Sequence, residues 1–208
     1  DMKDWHLAAW EFWAPRYENL VAQPFSLKPT RELVLQRVVE ACPKARRILD
    51  VGCGVGQLAV AVANALPEAH VTAIDPTWPM IQRARTDYFH ERIRYLHGEV
   101  EDLPGDQKYE VVVTTHAFPY ARDPEAFLAG VRNLMEPGAR LILAQACTET
   151  WWDAAFLGVV KLTTGPAQYR PVREIERLMR AVGLHPDNVR DVPTFPLVPA
   201  LRVVEAVK

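Results

Sequence analysis

The chain of 208 residues is long enough to bury roughly 70% of the surface that its unfolded form exposes, and its length is that of a single domain. Lysine and arginine number 24 against 26 aspartates and glutamates, so the formal charge of -2 supplies no surplus of positive charge for binding a nucleic-acid backbone. Three cysteines, Cys42, Cys53 and Cys147, stand far apart without a C-x-x-C pair, which excludes a readable disulfide framework or zinc knuckle and favours a reducing compartment.

The amino-terminal segment has the features of neither a signal peptide nor a membrane span. It begins DMKDWHLAAW, with acids and tryptophans in place of a basic flank and an apolar core, and no run of about 18 apolar residues occurs along the chain. We therefore expect a soluble cytoplasmic protein, either a monomer or a homodimer, that binds neither a membrane nor nucleic acid.

Residues 1–46 differ in character from the rest of the chain. A tryptophan-rich stretch is followed by the proline-broken QPFSLKP, and then by a segment that places Val34, Val38 and Ala41 on one helical face. We interpret this part as a helical cap on a single domain. Residues 47–145 would form its core, and residues 146–208 would supply further helices and the closing strands.

From Arg47 onward, short apolar runs alternate with helix-like segments of about ten residues or more, a pattern typical of βα units around a parallel sheet. Predicted strands lie at 48–51, 71–74, 93–96, 111–113 and 141–144. Asp123 is placed to cap a helix that begins at Pro124. Near the end, VRDVPTFPLVPALRVVEAVK places prolines before a final β-rich run, as in an antiparallel hairpin. The fold class is therefore α/β.

Three glycines, Gly52, Gly54 and Gly56, follow directly on the first predicted strand in RRILDVGCGVGQLAV. Glycine at such a turn lets a ligand lie against the backbone, and the next helix offers unpaired N–H groups and the positive end of its dipole. A tight turn alone would explain one glycine and leave two unexplained. The spacing D-x-G-x-G-x-G differs from the dinucleotide fingerprint G-x-G-x-x-G.

The stretch LDVGCGVG resembles motif I of the class I S-adenosylmethionine-dependent methyltransferases, LDVGCGTG, from which it departs only at Val55. A second stretch, from HGEVEDLPGD to EPGARLILA, is similar to the family segment GDAEDLPF…FDVV…DP…L…VLKPGG. The motifs are closest to the small-molecule, menaquinone- and ubiquinone-type group. The resemblance implies a Rossmann-like, doubly wound, mostly parallel seven-stranded sheet. It also implies S-adenosylmethionine (SAM) as cofactor, with S-adenosylhomocysteine as product.

The resemblance also implies which residues contact the cofactor. Gly52 and Gly54 would approach the methionine part. Asp75, about 20 residues after the last glycine, would receive the two ribose hydroxyls, although taken alone it would also suit the cap of the next helix. Tyr17, in WEFWAPRYENL, would act as a lid over the cofactor. The other predicted cofactor residues, apart from those of the adenine site, are Asp50, Cys53, Gly56, Pro76, Thr77, Thr115 and His116.

At the adenine, the family's acid corresponds to Glu99 here, where aspartate is commoner. Glu99 would accept the adenine amino group, and the backbone N–H of Val100 would meet the ring. Glu101 or Asp102 could serve instead of Glu99, and the stretch could also be a solvated acidic loop.

Methyl transfer from a sulfonium is an in-line displacement that depends on positioning and on the exclusion of water. An acceptor that needs a base would find His116 or Tyr120 near the end of the fourth strand. Histidine is the better matched to neutral pH, and an ordinary pKa near 6.5 predicts a rate that falls below that pH. His116 could instead only line the pocket.

Aromatic residues after the fifth strand indicate an apolar acceptor pocket. Trp151, Trp152 and Phe156 would line it together with Trp13 and Phe118, and a flat hydrophobic or aromatic acceptor would fit. On a helix, Trp13 and Tyr17 would turn together toward this pocket. The same aromatic residues could instead pack helices on the sheet or form a dimer contact.

Two other functions are set against methyl transfer by the sequence. A nicotinamide-dependent oxidoreductase is disfavoured because the chain lacks both G-x-G-x-x-G and a Tyr-x-x-x-Lys pair. A non-catalytic protein that keeps the fold for binding stays open, since a fold does not fix a function. We expect no metal, because the six histidines include no pair at three- or four-residue spacing.

Overall fold

The computed structural model describes residues 2–20, 22–195 and 198–208, which form seven α-helices and seven β-strands. The helices are α1 (Met2–Trp13), α2 (Lys28–Ala41), α3 (Gln57–Ala65), α4 (Trp78–Asp87), α5 (Pro124–Leu134), α6 (Trp151–Thr164) and α7 (Val172–Ala181). The strands are β1 (Arg47–Val51), β2 (His70–Asp75), β3 (Ile93–His97), β4 (Tyr109–Thr115), β5 (Met135–Ala146), β6 (His185–Asp191) and β7 (Leu201–Val207).

All seven strands form one sheet in the order β3-β2-β1-β4-β5-β7-β6. The first five are parallel, and β7 pairs antiparallel with both β5 and β6. The predicted α/β fold, with its parallel core and closing antiparallel strands, is confirmed. Because β1 lies between β2 and β4, the turns that follow these three strands open at the same edge of the sheet, where ligands of such folds bind.

The sheet is covered on both faces, as a doubly wound fold requires. Ile48, Val111 and Ile142 pack toward α2 and α3, whereas Leu49, Val112 and Leu141 pack toward α5 and α7. Alternate residues of each strand face opposite sides, so a strand buried on both faces is apolar throughout. This is why the predicted strands appear as continuous apolar runs in the sequence.

Helix α5 begins as the sequence predicts. The Asp123 carboxylate accepts hydrogen bonds from the backbone N–H groups of Glu125 and Ala126 at 3.0 and 2.9 Å, with Pro124 in the first turn. None of the described helices is both long and apolar enough to cross a bilayer.

Helix α2 packs one face on the sheet. Val34 and Val38 are buried as predicted, but Ala41 is exposed because it is the last residue of the helix. Thr30 is the buried residue one turn before Val34. The helix is also fastened by Glu205 on β7, whose fully buried carboxylate accepts from Arg37 at 2.6 Å. Thr30 therefore faces the interior near the amino-terminal end of α2.

Candidate active site

The three glycines of the turn after β1 all have positive φ, at 72°, 55° and 88°, but for different physical reasons. A Cβ on Gly52 would overlap the Cβ of Ala117, and one on Gly56 would lie 2.5 Å from the Tyr95 hydroxyl. These two positions are glycine because protein atoms fill the space. A Cβ on Gly54 would meet nothing nearer than the Tyr17 hydroxyl, at 3.9 Å. Gly54 is therefore the glycine that leaves room for a ligand against the backbone.

A cavity of about 470 Å³ opens beside this turn, at the ends of β1, β2 and β4. Its size is that of a small-molecule or cofactor site. Among the predicted cofactor and catalytic residues, those that line it are Tyr17, Gly52, Gly54, Asp75, Pro76, Thr77, Glu99, Val100, Glu101, Thr115, His116 and Tyr120. Half of the residues that line the cavity are therefore ones that the sequence analysis named as cofactor or catalytic residues.

Asp75 ends β2 with its carboxylate held in place by the backbone. One oxygen accepts from Gly54 N at 2.9 Å and the other from Thr77 N at 2.8 Å. The residue at the cap of α4 is Thr77, so Asp75 is not the capping residue. Burial raises the pKa of Asp75, while the two backbone N–H groups lower it. Each oxygen keeps a second lone pair that a ligand hydroxyl can use.

Three predicted cofactor residues lie away from the large cavity. Asp50 is buried beneath the turn, and among the described residues nothing bonds to either of its carboxylate oxygens. Burial and the nearby Asp75 raise the pKa of Asp50 to about 7. Cys53 lines only a smaller cavity, and Gly56 packs on Tyr95. These three residues support the turn from below and do not line its open side.

The acidic loop after β3 supplies the opposite wall, through Glu99, Val100 and Glu101. Asp102, which the sequence offered as an alternative, does not line the cavity, because its carboxylate accepts from Glu99 N at 2.8 Å and caps the short 3-10 turn. Glu99 also pairs with the exposed Arg122 across the rim, at 3.9 Å.

His116 follows β4 and lines the cavity wall. Its Nε2 lies 3.2 Å from the Thr30 hydroxyl. Burial and the charge of Arg31 lower the pKa of His116 to about 4, so the ring is neutral throughout the physiological range. The prediction of an ordinary pKa near 6.5 is therefore wrong, and the physical reason is desolvation of the ring.

Tyr120, the second predicted base, also lines the cavity, and its ring meets that of Trp10 edge to face at 5.7 Å. Burial raises the pKa of Tyr120 well above its ordinary value. The phenol therefore stays protonated at neutral pH and can donate a hydrogen bond, but it is poorly suited to act as a base. His116 is the better candidate of the two.

Arg31 on α2 is a site residue that the sequence analysis missed. It lines a small cavity behind the glycine turn, together with Gly52, Cys53 and Gln57. Its guanidinium donates to Gln23 Oε1 at 3.1 Å, and no described carboxylate pairs with it. A half-buried guanidinium with free donors is suited to bind a carboxylate. The sequence signal that could have identified Arg31 is its place beside Thr30, on a face of α2 that is otherwise apolar.

The predicted acceptor wall lies elsewhere. Among the residues of α6, Asp153 and Leu157 face inward. The Asp153 carboxylate accepts from Thr150 N at 2.7 Å, in a capping box whose N-cap is Thr150, and from Ala200 N at 2.9 Å. This rotation turns Trp151, Trp152 and Phe156 to the exposed face, outside the cavity. The prediction that these three residues line the acceptor pocket therefore does not match the structure, in which none of them lines the cavity.

The other two predicted liners are also outside the cavity. Phe118 is fully buried beneath it, and Trp13 donates its ring N–H to the Thr163 carbonyl at 3.0 Å. Helix α1 ends at Trp13, so Tyr17 lies on a separate 3-10 turn and the two do not share a helical face. Instead, Trp10 and Phe127 supply aromatic wall. Over the described residues, no group of three or more His, Cys, Asp or Glu side chains is placed to hold a metal.

Comparison with known proteins finds a methyltransferase domain in this chain. A family model described as a methyltransferase domain matches residues 48–138. The biotin biosynthesis bifunctional protein BioCD of Bordetella avium is 30% identical over 85% of this chain and 37% of its own length. The ubiquinone biosynthesis O-methyltransferase of Xylella fastidiosa is 33% identical over 69% of this chain and 62% of its own length. The chain thus spans less than two thirds of the curated relatives that it matches.

Solved structures share the fold. The methyltransferase of a Haloferax volcanii complex with the Trm112 activator has a TM-score of 0.80 at 18% identity, covering 95% of this chain and 96% of that one. Magnesium protoporphyrin IX methyltransferase from Synechocystis, solved with S-adenosylhomocysteine, has a TM-score of 0.69 at 20% identity, covering 86% of this chain and 82% of that one. The matched domain, the sheet order and the glycine turn together support a methyltransferase of the class I, S-adenosylmethionine-dependent type, with its methyltransferase domain at residues 48–138.

Proposed function

We propose that the chain binds SAM in the 470 Å³ cavity and transfers its methyl group to a small, apolar or aromatic molecule. The observation that carries the proposal is the open side of Gly54, which lies directly beside the Asp75 carboxylate at the cavity wall. Two relatives are named malonyl-[acyl-carrier protein] O-methyltransferase and ubiquinone biosynthesis O-methyltransferase. These names support the transfer of a methyl group to an acceptor molecule.

The residues present fit the cofactor. Asp75 would accept the ribose hydroxyls, Glu99 or Glu101 the adenine amino group, and Arg31 the methionine carboxylate at the opposite end. Burial raises the pKa of Tyr17 to about 12, which keeps its hydroxyl protonated as a donor beside Gly54. When bound, SAM supplies a methyl group activated by attachment to a sulfonium sulfur.

The chain's own residues would position the acceptor and take its proton. Trp10, Tyr120 and Phe127 supply aromatic surface against which an apolar molecule would pack and from which water would be excluded. Neutral His116 offers a lone pair to a hydroxyl or N–H group of the acceptor. When the acceptor atom bonds to the methyl carbon, the acceptor atom loses its proton, and His116 would receive that proton.

Calorimetry with SAM, S-adenosylhomocysteine, NAD and NADP tests the cofactor, and a labelled-methyl assay over a metabolite panel then tests turnover. We expect binding of the first two ligands only. Binding of a nicotinamide cofactor alone would replace the proposal with an oxidoreductase. Binding of SAM without methyl transfer to any acceptor would favour a protein that keeps the fold for binding.

Asp75→Asn should weaken SAM binding by about 1.5 to 3 kcal/mol, the range for a hydrogen bond to a charged group. The amide keeps one acceptor oxygen but presents its NH2 group to the other backbone N–H, so Asp75→Asn should lose less stability than a variant that removes both acceptors. Asp75→Ala should lower both affinity and stability, because the N–H groups of Gly54 and Thr77 lose their partner. Calorimetry and denaturant unfolding separate the two effects. Unchanged affinity in Asp75→Asn would refute the ribose assignment.

Arg31→Met should weaken SAM binding by roughly 10- to 100-fold, because the carboxylate loses a charge-assisted partner. Binding of 5′-methylthioadenosine, which lacks that carboxylate, should be unchanged. Arg94→Met removes the same charge from the exposed face of β3 and serves as the control. An equal loss for both ligands would mean that Arg31 supports the fold of the site and does not bind the carboxylate.

We predict that methyl transfer needs no metal ion. The described residues offer no cluster of metal ligands, and a proton acceptor is already present at His116. Activity should therefore be unaffected by a chelator. Loss of activity with a chelator, followed by its return on addition of Mg²⁺ or another divalent ion, would contradict the prediction.

A further inference from the structure

His116 has a backbone conformation that residues with side chains rarely adopt. Its φ is 58°, and no other non-glycine residue among those described has a positive φ. The conformation is held by a hydrogen bond from its N–H to the Ala144 carbonyl at 2.8 Å, where β5 runs beside β4. Strain of this kind persists only when the surroundings enforce it, and it is concentrated at functional sites.

The ring is held from the opposite side by Thr30 on α2. The fully buried Thr30 hydroxyl lies 3.2 Å from His116 Nε2 and 2.7 Å from the Ser26 carbonyl oxygen. A hydroxyl has one proton, and a carbonyl oxygen can only accept. The Thr30 proton is therefore donated to Ser26. Its oxygen accepts from His116, so Nε2 carries the hydrogen.

This arrangement determines where the lone pair of the ring lies. In a neutral imidazole one nitrogen is protonated and the other is an acceptor. With the hydrogen on Nε2, the acceptor is Nδ1. No described residue makes a hydrogen bond to Nδ1, although the ring forms part of the cavity wall.

We propose that Thr30 is a positioning residue that holds His116 in the Nε2–H form, so that Nδ1 accepts a hydrogen bond from a hydroxyl or N–H group of the methyl acceptor. This inference rests on the proposed function and narrows its substrate class. A molecule that offers only a lone pair at this point, such as a tertiary amine, would set that lone pair against Nδ1. The favoured acceptors are alcohols, phenols and amines that carry a hydrogen.

The tautomer can be measured without substrate. Long-range ¹H–¹⁵N correlation spectra of the ¹⁵N-labelled full chain at neutral pH distinguish protonated from unprotonated ring nitrogens. The signals of His116 are identified by their loss in His116→Asn. We expect a protonated Nε2 and an unprotonated Nδ1. Hydrogen on Nδ1, or a mixture of the two forms, would overturn the proposal.

Variants of Thr30 test whether it causes the preference. Thr30→Val keeps the shape but lacks the hydroxyl, so we expect the His116 signals to move toward a mixture of tautomers. Thr30→Ser keeps the hydroxyl and should restore the wild-type pattern. Thr30→Ala provides a second variant without a hydroxyl if the valine variant does not fold. A wild-type pattern in a folded variant without the hydroxyl would overturn the proposal.

The activity of the same variants tests the role toward the acceptor. Thr30→Val should lower kcat by roughly 10- to 100-fold, by analogy with residues that orient a metal-ligating histidine, with SAM affinity unchanged. Thr30→Ser should recover most of the loss. An unchanged kcat in Thr30→Val would overturn the role in positioning. Absence of methyl transfer by the wild type would count against the proposed function, while the spectra would still decide the tautomer.

Discussion

Gly54→Ala is expected to raise the dissociation constant for SAM by roughly 100-fold or more, about 2.7 kcal/mol. The added methyl group would project into the cavity, where the nearest protein atom is the Tyr17 hydroxyl at 3.9 Å. The protein itself can therefore accommodate the added methyl group, but a ligand bound against the backbone of residue 54 would collide with it. Overpacking by one methyl group in a site of fixed shape costs about 1 to 3 kcal/mol. Calorimetry with SAM and S-adenosylhomocysteine measures the effect.

Gly138→Ala is the matched control for backbone strain. Gly138 has a φ of 77°, close to the conformation of Gly54, and a Cβ there would meet no atom within 4 Å. It lies in β5, away from the cavity, so the substitution should leave SAM binding unchanged. Both variants should lose a similar 1 to 2 kcal/mol or so of stability from the positive φ. Normal SAM binding by Gly54→Ala would place the ligand elsewhere.

The fold could be predicted because its signals are local. Buried parallel strands appear as apolar runs, and the Asp123 cap needs only the residues that follow it. The glycine motif could also be recognised, but the separate role of each glycine could not. Those roles depend on Ala117, in the loop after β4, and on Tyr95 in β3. Contacts between residues that far apart in sequence have no local pattern.

The aromatic residues of α6 show where sequence reasoning fails. A helix with apolar residues on most sides can present any of them to a pocket, and their number does not determine its rotation. The rotation is instead set by Asp153, a buried polar residue whose carboxylate accepts hydrogen bonds from Thr150 N and Ala200 N. That long-range bond turns Trp151 outward, with 79% of its surface exposed.

Residues 1–46 place more side chains beside the cavity than their sequence indicated. Their motif suggested a lid through Tyr17, which does line the cavity. Helix α2 additionally brings a guanidinium and a hydroxyl, from Arg31 and Thr30, to the side of the glycine turn and of His116. Arginine near a helix start is usually solvated, so its place on an otherwise apolar face was a weak signal, and the packing of α2 on the sheet is what brings Arg31 beside the glycine turn.

The packing of α2 on the sheet also affects how the free energy of unfolding should depend on pH. Burial and Arg31 lower the pKa of His116 from its usual 6.5 to about 4. Because the folded value is below the unfolded one, the unfolded chain takes up the proton first as pH falls. His116 therefore costs stability progressively between about pH 6.5 and pH 4. Unfolding measured over this range should show a shallower loss in His116→Asn, and equal slopes would contradict the lowered pKa.

In catalysis, His116→Ala should lower kcat by about 10²- to 10⁴-fold with SAM affinity nearly unchanged, because a base acts in the transition state. His116→Asn is the matched variant, since asparagine tolerates the positive φ and keeps an acceptor oxygen near Nδ1 but cannot take a proton. A base role predicts a similar loss in both variants. The wild-type rate should be flat from about pH 5 to 8, because the ring is neutral over that range, and should fall only as pH approaches the pKa of about 4. A His116→Asn variant within tenfold of the wild type would mean that His116 orients the acceptor through a hydrogen bond and that the proton leaves by another route.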